Sequence, residues 1–406
     1  MSRQVIVIGA GVAGTGAAIA AAASARTTVI DGGTGASTLS TGAIDLAPWA
    51  HAPESASIPE EVQQALERLG GYVVPDGGSL VLTSAGIARP ARGHDAALLD
   101  VAPLASGRVG VVRCDRSGWD ADALARAWGP RYQPLDATVM RLSDERVLPD
   151  ADFAARHDDE DRLGWLAERL RDALSHSGRA LSALVLPPAL GVERARAEAL
   201  SKRVGMPCGE AIGMPGGPSG LRFERGRDRA LSSAGVVRVR ARATKIDRAG
   251  SRWSVVTDGA DTHEGDAVVL ATGGLIGGGF EYAPSETMLA SVLPPRARAP
   301  IRLAIEAPLS IGSRGRPLEL PGSLFGIPPE SLSWPFAADA LFDRAGLLVD
   351  ENGAATETGG LGLFAAGEIT ADEPRTWLAA LWSGLRAGAA AAREASQRGA
   401  EARSIA

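Results

Sequence analysis

The stretch VIVIGAGVAGTGAA, close to the start, constrains the fold more than any other part of the chain. Val5 to Ile8 are β-branched and apolar, Gly9, Gly11 and Gly14 follow as G-x-G-x-x-G, and an alanine-rich run continues to Ala25. In a strand–turn–helix, the first glycine allows the tight turn and the second lets backbone approach a pyrophosphate. The third lets helix and strand pack closely. The helix start offers N–H groups with no intrahelical acceptor to the phosphate charge. Residues 4 to 25 carry no charge and follow Arg3, which imitates a signal peptide or a membrane span. Glycines breaking a β-branched run are better explained by a strand, a turn and a helix. The next apolar run, TTVID, ends at Asp31, twenty residues beyond Gly11, where a carboxylate can accept from a ribose hydroxyl.

Two distant segments repeat the pattern of a buried strand running into glycine. DAVVLATGG, residues 266 to 274, ends in Thr272, Gly273 and Gly274, and the segments VRVRARATKID, RWSVVTD and THEGDAVVL alternate like antiparallel strands. GLGLFAAGEIT, residues 360 to 370, ends in Gly367 and Glu368 before a long alanine-rich helix. In two-dinucleotide-type flavoproteins the A-T-G turn passes the adenosine half and the G-E carboxylate reaches the ribitol. The helix N-terminus there favours negative charge on the reduced ring. Together the three segments imply FAD. Between them, LSTGAIDLAP supplies Ser40, Thr41 and Gly42, small donors that cannot fill a core and are read as flavin contacts; Asp45 reads equally well as a turn residue. None of the five histidines (His51, His94, His157, His176, His263) lies in an early glycine run suited to covalent attachment, so non-covalent flavin is expected.

Composition narrows the class. The 406 residues are 45% hydrophobic and 22% charged with net charge −6, a soluble globular balance that argues against nucleic acid as a partner. Fifty glycines and 25 prolines fit a loop-rich α/β protein. Cys114 and Cys208 alone cannot ligate an iron–sulfur cluster or form a disulfide framework, so a reducing, cytoplasmic setting, no metal and no transmembrane segment are expected.

At this point the chain resembles the B subunit family of anaerobic glycerol-3-phosphate dehydrogenase, within the fumarate reductase and succinate dehydrogenase flavoprotein superfamily. LSTGAIDL resembles that family's serine–glycine–leucine–aspartate stretch, and LVLPPALGVERARAEALSKRVGMPCGEAIGMPGGPSGLRFERGRDRAL resembles its central signature. The signature's P-P-S-x-x-G-x-R-L-like turn corresponds here to Pro215 through Arg222. The resemblance implies a flavoprotein subunit that works with a catalytic subunit and an iron–sulfur, membrane-associated subunit, and hence peripheral attachment at the inner membrane face. It also implies FMN; the glycine fingerprint with Asp31 argues for FAD, with FMN the alternative. The chain departs from the family near its end, where Trp377, Leu381 and Trp382 stand in place of a dense glycine run.

Dehydrogenation of a small anion needs an anion clamp and a base. ARPARGHD, residues 88 to 95, offers Arg89 and Arg92 as the clamp and His94 as the base; a solvated surface loop is the competing reading. RFERGRDR, residues 222 to 229, reads at strand spacing as self-paired surface, with Arg222 set apart by the matched turn. His157, in ARHDDEDR ahead of a helix reaching about residue 175, is expected to be solvated. The fold class expected is α/β: a discontinuous Rossmann-like two-dinucleotide-type FAD-binding domain with an inserted α/β substrate or cap domain. Boundaries fall at 1–75, 230–285 and 340–406 for the first, and 76–229 and 286–339 for the second, including the apolar, proline-rich cap segment 313–336. Two functions remain: an electron-transferring subunit fed by a small anionic substrate or a partner subunit, or a stand-alone flavin dehydrogenase acting on a small acid or alcohol.

Overall fold

The computed structural model describes residues 3–45, 58–104, 106–250, 252–274, 276–279, 281–284, 303–311, 317–319, 346–355, 362–371 and 373–404. The chain divides into two compact units, one of Met1–Ser37, Trp49–Pro53 and Ala230–Ala406, and one of Thr38–Pro48 with Glu54–Arg229. Residues 38–45 and 58–75, assigned above to the flavin domain, group with the second unit because their strands pair there. Most of 286–339, including the proline-rich cap segment, lies outside the described residues.

The first unit is built on a five-stranded parallel sheet in the spatial order Val237–Arg240, Arg26–Asp31, Gln4–Ile8, Ala267–Leu270, Leu363–Ala365. Gln4–Ile8 and Ala267–Leu270 are apolar and almost wholly buried, as parallel strands covered on both faces must be, and Arg26–Asp31 is buried after Arg26. Ile6, Ile8, Val268 and Leu270 pack with Ile246, Trp253 and Val255 of an antiparallel meander, Ala243–Ala249, Arg252–Thr257 and Thr262–Gly265. Leu303–Ile311 extends that meander, parallel to Ala243–Ala249, and Glu281–Pro284 pairs antiparallel with it. The helices Val12–Ala22 and Trp377–Ser404 pack against each other and the sheet. The meander is as expected, except that Val237–Arg240 leaves it to form the edge of the parallel sheet.

The second unit has its own four-stranded parallel sheet, ordered Cys208–Glu210, Ala183–Leu186, Val109–Val112, Tyr132–Leu135. Its helices include Ala121–Trp128, Glu160–Ser177 and Ala197–Val204. Asp120 caps the first by accepting from the Asp122 and Ala123 amides, and Asp159 caps the second through the Arg162 amide. Ala43–Ile44, Gly93–Asp95 and Tyr72–Val73 make a small antiparallel sheet beside the hairpin Ser79–Leu82 and Ala88–Ala91. Two expectations are corrected. Residues 222–229 are not a strand but part of the helix Pro218–Ser233. His157 is fully buried, because it ends the helix Asp150–Arg156 with its ring edge-on to Phe153 and Nδ1 bonded to the Phe153 carbonyl.

The architecture is therefore α/β, a discontinuous Rossmann-like unit with an inserted α/β unit.

Candidate functional site

The strand order of the first unit reverses direction between Gln4–Ile8 and Ala267–Leu270, and doubly wound sheets bind dinucleotides at the carboxyl ends flanking such a point. Both glycine turns emerge there. Gly9 has φ +107°, and a Cβ on it would lie 2.1 Å from the Ala271 carbonyl oxygen; a Cβ on Gly14 would lie 1.9 Å from the oxygen of Gly9. These two glycines let strand, helix and the second turn touch through backbone alone. At Gly11 a Cβ would meet Ser37 Oγ at 3.2 Å, a tight contact, but no backbone atom within 4 Å. That helix has no side-chain bond from its N-cap residue, Gly11, and no acid in its first turn. A helix start with no acidic side chain beside it fits a pyrophosphate. Ser37, which the sequence reading missed, accepts from the Val12 amide at 2.9 Å. Its only sequence signal is a hydroxyl shortly after the second strand.

Thr272 and Gly273 follow the Ala267–Leu270 strand as expected, half-buried beside Gly9. Gly367 comes close to Ala13, and its amide donates to Ser383 Oγ at 2.9 Å. Glu368 accepts from the Gly274 amide at 3.2 Å, while Arg375 donates to the Glu368 carbonyl at 2.9 Å. Gly9, Gly11, Gly14, Thr272, Gly273, Gly367 and Glu368 thus converge within one unit. Asp31 ends the second strand but is already engaged. Its Oδ1 accepts from the Gly33 amide at 3.0 Å, and its Oδ2 accepts Nε of Arg238 at 2.8 Å and also Nη2 of Arg238.

The remaining candidates belong to the second unit. Gly42 has φ +90°, and a Cβ there would lie 2.7 Å from Ser219 Oγ and 3.0 Å from Asp95 Cβ. Its amide donates to Ser40 Oγ at 3.2 Å, and its carbonyl accepts from the Asp95 amide at 2.7 Å. Thr41 Oγ1 accepts from Arg89 Nη1 at 3.5 Å, the outer limit of a hydrogen bond. Arg89 is exposed and Arg92 half-buried, its amide held by the Ile44 and Asp45 carbonyls. His94 is buried, bonded through Nδ1 to Ser79 Oγ at 2.8 Å, and burial holds its pKa below the ordinary value against the opposing pull of Asp100 and Asp95. The three residues of the expected loop therefore lie in three different environments.

Beneath Gly42 lies a buried ion network. Arg222 donates from Nε to Asp95 at 2.8 Å, from Nη1 to the Gly191 carbonyl at 2.5 Å, and from Nη2 to Glu210 at 2.8 Å and Ser219 at 3.1 Å. Glu210 also accepts from the Ala189 and Leu190 amides. Two cavities of this unit, of about 470 and 440 Å³, are lined around Trp119 and Asp120, and neither is lined by Arg89, Arg92 or His94. Among the described residues no helix is long and apolar enough to cross a membrane.

No curated protein matches the chain. Solved structures similar to it include a 3-ketosteroid delta1-dehydrogenase from Sterolibacterium denitrificans (11% identity, TM-score 0.39, 97% of this chain and 100% of that one). Others are a thioredoxin reductase from Gloeobacter violaceus (11%, 0.33, 97% and 95%) and a glycine oxidase from Geobacillus kaustophilus (15%, 0.32, 97% and 95%). Likenesses of this size carry no argument about substrate or reaction. The family comparison is more direct: residues 4–86 match the FAD binding domain family, covering the glycine fingerprint, Asp31 and Ser40–Gly42. The chain accordingly carries a FAD-binding domain and is a FAD-binding flavoprotein.

Proposed function

We propose that this chain is an electron-transferring flavoprotein subunit, resembling the B subunit of anaerobic glycerol-3-phosphate dehydrogenase. It would take electrons from a small anionic substrate or a partner subunit and pass them to a downstream acceptor. The Gly11 helix start would hold the pyrophosphate of FAD, Asp31 the adenosine ribose, and Thr272 and Gly273 the adenosine side. Gly367 and Glu368 would face the ribitol. Bound FAD supplies reversible two-electron chemistry. The observation that carries the subunit reading is the burial of His94: a base for substrate deprotonation must reach the substrate, and this imidazole is spent on Ser79 inside a small sheet. Catalytic and iron–sulfur partners, with peripheral attachment to the inner membrane face through them, follow from the same reading.

One observation favours the alternative of a stand-alone dehydrogenase acting on a small acid or alcohol. The exposed guanidinium of Arg89 stands beside Thr41, so an anion could be held there, with Arg92 second in the clamp and His94 as the base. Rapid mixing of the FAD-loaded chain with glycerol 3-phosphate and small hydroxy acids separates the two. The subunit reading expects no bleaching until a partner is added, and wild-type behaviour from Arg89→Ala, Arg92→Ala and His94→Ala. Bleaching by the isolated chain that is lost in His94→Ala with FAD content intact would establish the alternative.

A further inference from the structure

We infer that Arg238 sets this chain's preference for FAD over FMN, as a positioning residue that acts on the adenosine ribose through Asp31. The inference rests on the FAD assignment. Asp31 and Arg238 are 207 positions apart, and the parallel sheet brings them together. Arg240 pairs in register with Asp31, so Arg238, two residues earlier, projects from the same face of the sheet. Its fork closes on a single oxygen, Oδ2, through Nε and Nη2, while Oδ1 takes one bond from the Gly33 amide. A carboxylate oxygen accepts about two hydrogen bonds. Oδ2 is therefore filled, and Oδ1 keeps one acceptor position fixed in direction from two sides.

The side chain of Asp31 is only 4% exposed and that of Arg238 20%. A carboxylate at this depth needs a paired cation to stay charged in place. Without Arg238 it would turn outward to water and would no longer present a fixed anionic acceptor. Arg238 is thus required for the one feature of the site that reads the adenosine half. FMN has no adenosine half, so nothing that Arg238 does through Asp31 touches it.

The test is the ratio of two affinities on one protein. FAD and FMN are titrated into apoprotein of the wild type, Arg238→Met and Arg238→Lys, following the quenching of flavin fluorescence, with circular dichroism as the check on folding. Arg238→Met should weaken FAD by about tenfold or more, the loss of one charge-supported hydrogen bond, and leave FMN within about twofold. Arg238→Lys keeps the charge but not the fork, and should fall between. Equal weakening of both flavins would make Arg238 a general structural residue and overturn the inference, as would an unchanged ratio in a folded variant. A wild type that binds FMN as tightly as FAD would instead overturn the FAD assignment itself.

Discussion

Replacing Arg222 by methionine tests the buried network beneath Gly42. Methionine keeps most of the side-chain length but removes every donor, leaving Asp95 and Glu210, 2% and 1% exposed, without a cation. Removing one partner of a buried pair typically costs about 3–5 kcal/mol. One guanidinium here serves two carboxylates and also satisfies the Gly191 carbonyl and Ser219, so the upper part of that range is expected at neutral pH. The cost should depend on pH in a definite direction. Burial pushes the Glu210 carboxyl above its ordinary value and Asp95 adds to the push, while Arg222 and the Leu190 amide oppose it. Without Arg222 the folded value rises further. A carboxyl raised on folding contributes stability that is present below its unfolded pKa, about 4.3, and lost as pH rises through the folded value. The variant should therefore lie nearest the wild type around pH 5 and fall well behind around pH 8. Urea unfolding at both pH values measures this, followed by tryptophan emission, to which Trp119, Trp128 and Trp165 contribute from this unit. A loss below about 1 kcal/mol at the higher pH, or one that does not change with pH, would refute the argument that uncompensated buried charge is what Arg222 prevents.

Gly11→Val should give a folded, colourless protein, since the new Cβ would press on the Ser37 hydroxyl at 3.2 Å and on no packed backbone; a retained flavin spectrum would show that the pyrophosphate lies elsewhere. Gly14→Ala should instead lower the melting temperature as well, because its Cβ would fall 1.9 Å from the Gly9 oxygen. Burial pushes the thiols of Cys114 and Cys208 up to about 12, so neither should react with a disulfide reagent near pH 8 until urea is added; one fast native thiol would contradict this. His157 is held down to about 4, chiefly by burial and further by Arg162. The unfolded chain protonates first as pH falls below the ordinary 6.5, so stability should drop between there and about 4, and His157→Leu should drop less steeply.

The parallel core of the first unit was legible because it depends on local features. β-Branched runs ending in glycine mark strands that enter tight turns, and Gly9, Gly273 and Gly367 do adopt positive φ at those ends. What was misread depended on packing at a distance. RFERGRDR looks like exposed strand if its charges are assumed to face water. In the helix Pro218–Ser233, Arg222 and Arg227 are buried while Arg225 pairs with Glu193 at the surface. His157 sits in a run of acids and looks solvated, but the helix Asp150–Arg156 ends there and turns the ring onto Phe153. Charge runs predict exposure only when the helix phase is known.

The site residues show the same limit at finer scale. An acid at the end of the second strand can be located from spacing alone, but whether it is free to bind a ribose depends on its neighbours. Arg238 comes from an edge strand that the alternation of VRVRARATKID placed in the meander, and only the parallel register with Arg26–Asp31 brings its fork to Asp31. His94 is the mirror case. Its spacing from Arg89 and Arg92 suggests one loop of three cooperating side chains, yet the turn between the two short strands leaves Arg89 on the hairpin in solvent and His94 inside the small sheet with Ala43 and Val73. Residues close in sequence were separated by strand pairing, and residues far apart were joined by it. For strand ends brought together from distant parts of the chain, the glycines that make room are therefore readable from sequence, while the partners of the charges beside them are not.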